Sequence, residues 1–145
     1  YHEDLDTWDP GSHAGTFRGH LPAMRAGVRA IEYIQEHNLL SHARDVGQYI
    51  RTRVSEAGEN LKEIGDVRGK GLFIGIELVD KEGLPNSKLV KEVQKICLQK
   101  GLLIWTAGRH GNVIRLLPPL VVTQKQAEVG TNILIEAIEE AVENW

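Results

Sequence analysis

The chain has 145 residues, of which 41% are hydrophobic, and this length favours one compact core over two. A net charge of −3 gives no general attraction to nucleic-acid backbones or acidic membrane surfaces, so neither class of partner is expected. No apolar stretch approaches the length of a membrane span, and the start of the chain lacks the basic and apolar regions of a signal peptide.

The first half of the chain predicts a loop followed by two helices. Residues 1–19 mix Asp, Pro, Gly and His without helical or strand periodicity, which is typical of a loop. Apolar residues at three- and four-residue spacing then predict a helix from about 21 to 37, with Pro22 in its first turn. Asn38 is suited to cap a second helix, whose apolar stripe extends over 39–61. We expect these helices to form a bent hairpin.

The pattern changes at Ile64, where a short strand is expected before a turn at residues 69–71. The apolar run LFIGIELV, residues 72–79, predicts a second strand. Turn residues then lead to a third helix that Gly101 ends. The apolar stripe of that helix includes Cys97, the only cysteine, which cannot close an internal disulfide. We therefore expect a reducing, cytoplasmic compartment.

The last third of the chain predicts a hairpin and a helix. Two short apolar runs, 102–105 and 113–117, are spaced to pair as strands. Thr123 and Gln126 form the capping-box pattern that begins a final helix. The order of long amphipathic helices and short strands predicts an α+β fold, in which a small, mainly antiparallel sheet carries amphipathic helices on one face. This fold alone leaves the function open.

The segment HAGTFRGH, residues 13–20, is a glycine-containing loop that runs directly into the first helix. Loop amides and the helix dipole favour a bound anion at such a place, typically a phosphate, and the Thr16 hydroxyl adds one donor. An ordinary structural turn explains the same residues and is the preferred interpretation when they are taken alone.

Arg115 stands inside the apolar run VIRLLPP. A guanidinium among hydrophobic residues needs a partner, and a planar carboxylate held by two parallel hydrogen bonds suits it best. An arginine that points from the strand into solvent is an equal alternative at this stage.

Three motifs in one order, WDPGSHAGTFRG, DVRGKGLFIGIELV and GNVIRLLPPLVVT, resemble the C-terminal region of the class III (ω-type) aminotransferases. These are pyridoxal 5′-phosphate (PLP) enzymes of fold type I. Within the family, the chain most resembles the diaminobutyrate-2-oxoglutarate aminotransferases. The resemblance covers nearly the whole chain. It implies that residues 1–19 are an extended loop of the large domain and that residues 20–145 are the C-terminal small domain of a homodimeric enzyme.

The resemblance also implies roles for individual residues. Thr16 matches the threonine that contacts the PLP phosphate, usually that of the neighbouring subunit, with Gly15 and Phe17 shaping the loop. Arg115 matches the arginine that receives the α-carboxylate of the amino-acid or oxo-acid substrate. Lys70, between two glycines, is expected to be structural, because a solvated turn lysine is poorly suited to form a Schiff base.

The implied reaction moves an amino group from an amine donor, with 2,4-diaminobutyrate as a candidate, to 2-oxoglutarate, and PLP serves as the electron sink. The catalytic lysine of the family lies upstream, in the large PLP domain of the same protein. The acidic start without methionine fits a piece cut from a longer protein, and we expect that piece to be inactive alone. A stand-alone α+β binding module and a dimerisation domain remain as alternatives without catalysis.

The histidines depart from the family or lack a defined role. His20 stands where the family commonly has Asn, and His is a poorer helix cap; we rank simple drift above a pH switch at this position. His13 and His110 belong to loops that approach the active site in the resemblance. The six histidines show no metal-like spacing, and we expect no metal site.

Overall fold

The computed structural model describes residues 2–12 and 14–144. It divides into two compact units, Tyr1–His37 and Asn38–Trp145. The first unit contains a short 3-10 helix, Glu3–Leu5, and helix α1, Leu21–Glu36. The elements of the second unit are, in chain order, α2 (Leu39–Gly58), β1 (Ile64–Lys70), β2 (Phe73–Leu78), α3 (Ser87–Gln99), β3 (Trp105–Ala107), β4 (Val113–Leu116) and α4 (Gln124–Glu143).

Helix α1 confirms the helix predicted from about 21 to 37. Pro22 lies in its first turn, where a missing N–H costs no helical hydrogen bond. None of its residues is buried in the described structure. The bent hairpin between α1 and α2 spans the two units and stays a prediction, as does the predicted domain boundary at residue 19.

The second unit confirms the predicted α+β class. Its four strands form one antiparallel sheet in the order β1-β2-β4-β3. Alternate residues of the central strands, such as Ile74, Ile76 and Ile114, are almost fully buried in a core shared with the three helices. Of the residues that alternate with them on β2, Phe73 is exposed, and Gly75 and Glu77 are half-buried, so the helices cover the face that carries the isoleucines.

The core is built from the apolar stripes that the sequence predicted. Val54 of α2, Val93 of α3, and Leu134 and Ile138 of α4 are all fully buried. Burying one such side chain contributes about 1.5–3 kcal/mol, so α2, α3 and α4 are held mainly by their apolar faces. None of the helices in the described ranges combines the length and apolar character needed to cross a bilayer.

The third predicted strand, residues 102–105, is wrong in its position. Strand β3 begins only at Trp105, because the preceding residues bond to helix α3 instead of the sheet. The Leu102 N–H donates to the Cys97 carbonyl at 2.8 Å, and the Gln94 side chain donates to the Ile104 carbonyl at 3.1 Å.

Of the two predicted helix caps, the one at Thr123 is confirmed and the one at Asn38 is wrong. The capping box is present: the Gln126 N–H donates to Thr123 Oγ1 at 3.2 Å, and the Thr123 N–H donates to Gln126 Oε1 at 2.9 Å. Asn38 does precede α2, but its side chain makes no capping hydrogen bond. Its backbone is left-handed, with φ of 51°, a conformation that Asn tolerates better than most residues.

Candidate functional site

The candidate anion loop contains Gly15, Thr16 and Phe17, all of which are exposed. The Arg18 N–H donates to the Gly15 carbonyl at 3.0 Å, and the His20 N–H donates to the Phe17 carbonyl at 3.1 Å. The loop therefore consists of two successive tight turns that end at helix α1. Within residues 2–12 and 14–144, the Thr16 hydroxyl has no hydrogen-bond partner, so it is free to donate to a ligand. His13, the first residue of the motif, lies outside the described residues.

The start of α1 is electrostatically suited to an anion. Its first turn contains no acidic residue, and the side chain of His20 makes no capping hydrogen bond, which confirms the poor capping expected of His. The His20 ring instead lies edge-on to Phe17, with ring centroids 6.1 Å apart. The N–H groups of the first helical turn, at the positive end of the helix dipole, are therefore not capped by this side chain.

Arg115 lies in the second unit, on strand β4, between residues of two neighbouring strands. Its cross-strand partner on β2 is Gly75, and its partner on β3 is Trp105. Gly75 in turn pairs with Arg68 of β1. The four residues Arg68, Gly75, Arg115 and Trp105 thus form one row across the sheet, which we call the arginine row. Partners directly opposite in an antiparallel sheet point to the same face.

The two guanidinium groups of the arginine row differ in their partners. Arg68 binds the carboxylates of Asp66 and Glu77, the latter at 2.8 Å. The hydrogen bonds that Arg68 donates, first to Asp66 and then to Glu77, raise its pKa above the ordinary value. Arg115 makes no ion pair with any described residue, and its buried Nε has no hydrogen-bond acceptor. An unpaired buried donor costs about 1–3 kcal/mol, which an added acceptor would recover.

A cavity of about 740 Å³ adjoins Arg115. Its walls come mainly from apolar side chains of α3, α4 and the segments that flank β3 and β4, among them Leu98, Leu102 and Val122. Arg115 and Trp105 both line it. An ion pair formed beside such apolar walls is less screened than one in open water.

Other residues singled out from the sequence lie away from this cavity. Lys70 is exposed at the end of β1, where it pairs with Phe73, and it is not among the described residues that line the cavity. His110 is exposed in the loop between β3 and β4. No cluster of three or more His, Cys, Asp or Glu suited to a metal ion occurs in the part of the chain that the structure describes.

Trp105 and Gly75 are neighbours of Arg115 that the sequence did not single out. Both stand in short apolar runs, and their relation to Arg115 depends on strand order and register. The aromatic residue at the end of LLIW was the one available signal, since Trp is enriched where one side of a ring faces a ligand or solvent.

Comparison with known proteins identifies the family. The model of a family described as aminotransferase class-III matches residues 2–138. A diaminobutyrate–2-oxoglutarate aminotransferase of Rhizobium meliloti is 39% identical over 96% of this chain and 31% of its own length. An alanine/serine racemase of Pyrococcus horikoshii is 40% identical over 83% of this chain and 26% of its own length.

A solved structure agrees with these sequence matches. The acetylornithine aminotransferase of Elizabethkingia anophelis matches with a TM-score of 0.76 and 32% identity, over 94% of this chain and 33% of that chain. The chain thus spans only 31% of the Rhizobium protein and 33% of the Elizabethkingia protein. On these matches and on its fold, the chain belongs to the class III aminotransferase family.

Proposed function

We propose that this chain is the C-terminal part of a PLP-dependent aminotransferase that transfers an amino group from 2,4-diaminobutyrate to 2-oxoglutarate. The observation that carries the proposal is the buried, unpaired Nε of Arg115 beside an apolar cavity. The similarity to the Rhizobium meliloti enzyme supports the choice of donor and acceptor.

Arg115 is the proposed receptor of the substrate α-carboxylate. A carboxylate that takes two parallel hydrogen bonds from a guanidinium is held in position as well as in orientation. Because Asp66 and Glu77 bind Arg68 and not Arg115, no carboxylate of the described chain has to be displaced from Arg115 before a substrate binds.

Gly15, Thr16 and Phe17 are the proposed contacts of the PLP phosphate, in the active site of a neighbouring subunit. Their exposed turns, the free Thr16 hydroxyl and the uncapped start of α1 fit a phosphate group. When bound, PLP supplies the electron sink for amino-group transfer. In this proposal the large domain, including residues 1–19 and an upstream Schiff-base lysine, completes the enzyme, and residues 20–145 alone are inactive.

The same proposal places the whole protein in the cytoplasm as a homodimer. The single cysteine, Cys97, is buried and free, which fits a reducing compartment. A cofactor contact supplied by a neighbouring subunit requires at least two chains in each active enzyme.

Racemisation is a rival reaction, because the Pyrococcus horikoshii relative is named an alanine/serine racemase. The test uses the protein encoded by the complete gene, purified with PLP. It is incubated with L-2,4-diaminobutyrate and 2-oxoglutarate while glutamate is measured, and separately with L-alanine or L-serine while the D-isomers are measured. Glutamate formation supports the proposal. D-isomers without glutamate support racemisation, and carboxylate binding without either product supports the binding module.

The role of Arg115 is tested in the same protein by Arg115→Lys. A lysine keeps the charge but loses the planar pair of donors, so we expect the KM for 2-oxoglutarate to rise about 10- to 100-fold. The kcat should change less. Arg44→Lys, at an exposed position of α2, is the matched control and should leave both constants unchanged. An unchanged KM in Arg115→Lys would remove Arg115 from the site.

A further inference from the structure

Arg115 has very different neighbours on its two sides. On β2 its partner is Gly75, which has no side chain, and on β3 its partner is Trp105. Directly opposite residues have Cβ atoms about 5 Å apart in an antiparallel sheet, so the indole and the guanidinium start from adjacent points on one face. Of the two residues directly opposite Arg115, only Trp105 carries a side chain.

The packing of the second unit does not account for a large aromatic side chain at position 105. It is 65% exposed, and it is absent from the core formed by the described residues. It lies on the edge strand of the sheet, yet it lines the same cavity of about 740 Å³ as Arg115. A large aromatic side chain that contributes to a cavity wall and not to the core is free to serve a ligand.

An indole in this position has two physical effects on a guanidinium. Arginine stacks on aromatic faces, so a neighbouring indole favours one orientation of the guanidinium when a carboxylate binds. The ring also excludes water from one side of a guanidinium–carboxylate pair, which lowers the local dielectric and strengthens the pair.

We propose that Trp105 is a specificity-determining residue for carboxylate substrates, which acts by orienting Arg115 and shielding its ion pair from water. This inference rests on the proposed function, in which Arg115 receives the substrate carboxylate. Trp105 itself makes no ion pair with the substrate. It acts through Arg115 and as part of the apolar wall of the cavity.

The test compares Trp105→Ala, Trp105→Phe and Arg115→Lys in the PLP-loaded protein of the complete gene. The matched control is Phe73→Ala, which removes an aromatic ring that is 56% exposed on the same face of the sheet, opposite Lys70. For each variant, KM and kcat for 2-oxoglutarate, the inhibition constant of glutarate and the melting temperature are measured at about 0.05 and 0.5 M NaCl.

We expect Trp105→Ala to raise the KM and the glutarate inhibition constant about tenfold, with kcat changed less than about twofold. The rise should be larger at high salt, because the exposed ion pair is screened more strongly. Trp105→Phe should restore most of the affinity, and Phe73→Ala should change neither constant.

The outcomes separate this inference from the proposed function. Weak carboxylate binding in Arg115→Lys but normal binding in Trp105→Ala would overturn the role of Trp105 and leave the carboxylate site in place. Normal binding in both would overturn the site itself. Equal losses of melting temperature and activity in Trp105→Ala and Phe73→Ala, without a change in salt dependence, would show a structural role and also overturn the inference. If Trp105→Ala does not fold, the same comparison is made with Trp105→Phe, for which a smaller rise of the same sign and salt dependence is expected.

Discussion

Gly47 of helix α2 lies directly against the backbone carbonyl of Gly71 in the turn between β1 and β2. A Cβ atom at position 47 would come within 2.0 Å of that oxygen. The same carbonyl accepts a hydrogen bond from Arg51 at 3.0 Å. The hairpin turn is therefore fixed on α2 by a close backbone approach and by a side-chain donor one turn further along the helix.

Gly47→Ala should destabilise the protein, because the new methyl group has to displace backbone atoms and not a flexible side chain. We expect a loss of about 2–4 kcal/mol in the free energy of unfolding, measured by urea denaturation. Gly27→Ala, at a helical glycine of α1 with open space around its Cβ position, is the control and should stabilise by up to about 1 kcal/mol. A Gly47→Ala variant as stable as the original chain would contradict the close approach.

Thr123→Ala should lower the free energy of unfolding by about 1 kcal/mol, because it removes the side-chain acceptor for the Gln126 N–H at the start of α4. Thr123→Ser keeps the hydroxyl and should lose much less. Urea denaturation of the two variants side by side is the measurement. Equal stabilities would show that the capping box contributes nothing.

Cys97 should react slowly with iodoacetamide in the folded protein. Burial raises the pKa of its thiol from 9.0 to about 11, which disfavours the reactive thiolate. At pH 8, the thiolate fraction should be about 100-fold lower than in the unfolded chain, and steric burial slows the reaction further. Mass spectrometry of labelled protein with and without denaturant measures the ratio. Equal labelling rates would place Cys97 outside the core.

Thr16→Ala should weaken retention of PLP in the protein of the complete gene, if Thr16 donates to the cofactor phosphate. Loss of one hydrogen bond to a charged group costs about 1.5–3 kcal/mol, so dissociation of PLP should be about 10- to 100-fold faster. Absorbance of the bound cofactor during dialysis measures the rate. Thr16→Ser should restore retention, and Thr7→Ala, at another exposed threonine of the first unit, should have no effect. Normal retention in Thr16→Ala would exclude the contact.

The sequence predicted those features that depend on local spacing. Apolar residues every three or four positions located α1 through α4, and the Thr123–Gln126 pair located the start of the last helix. The candidate anion loop was visible for the same reason, since Gly15 and Thr16 are adjacent in the chain, and its role stays a prediction.

Features that depend on distant contacts were not predictable in this way. Strand β3 lies at Trp105–Ala107 and not at 102–105, because the residues before it bond to α3. The local sequence pattern does not contain that contact. The capping role expected of Asn38 failed because its backbone turns left-handed. The pairing of Trp105 with Arg115 depends on register, and a shift of one residue would have placed the two side chains on opposite faces.

The arginine row also limits which features of a substrate the sheet can recognise. One of its two guanidinium groups is committed to Asp66 and Glu77, and only the other is available. If Arg115 binds the α-carboxylate, the row recognises one acid group of the substrate. It has no second available arginine that could bind a group at the other end of the molecule and so select for its length. Recognition of chain length must then be encoded elsewhere, so exchanging donors or acceptors of different length should be achievable without altering this sheet.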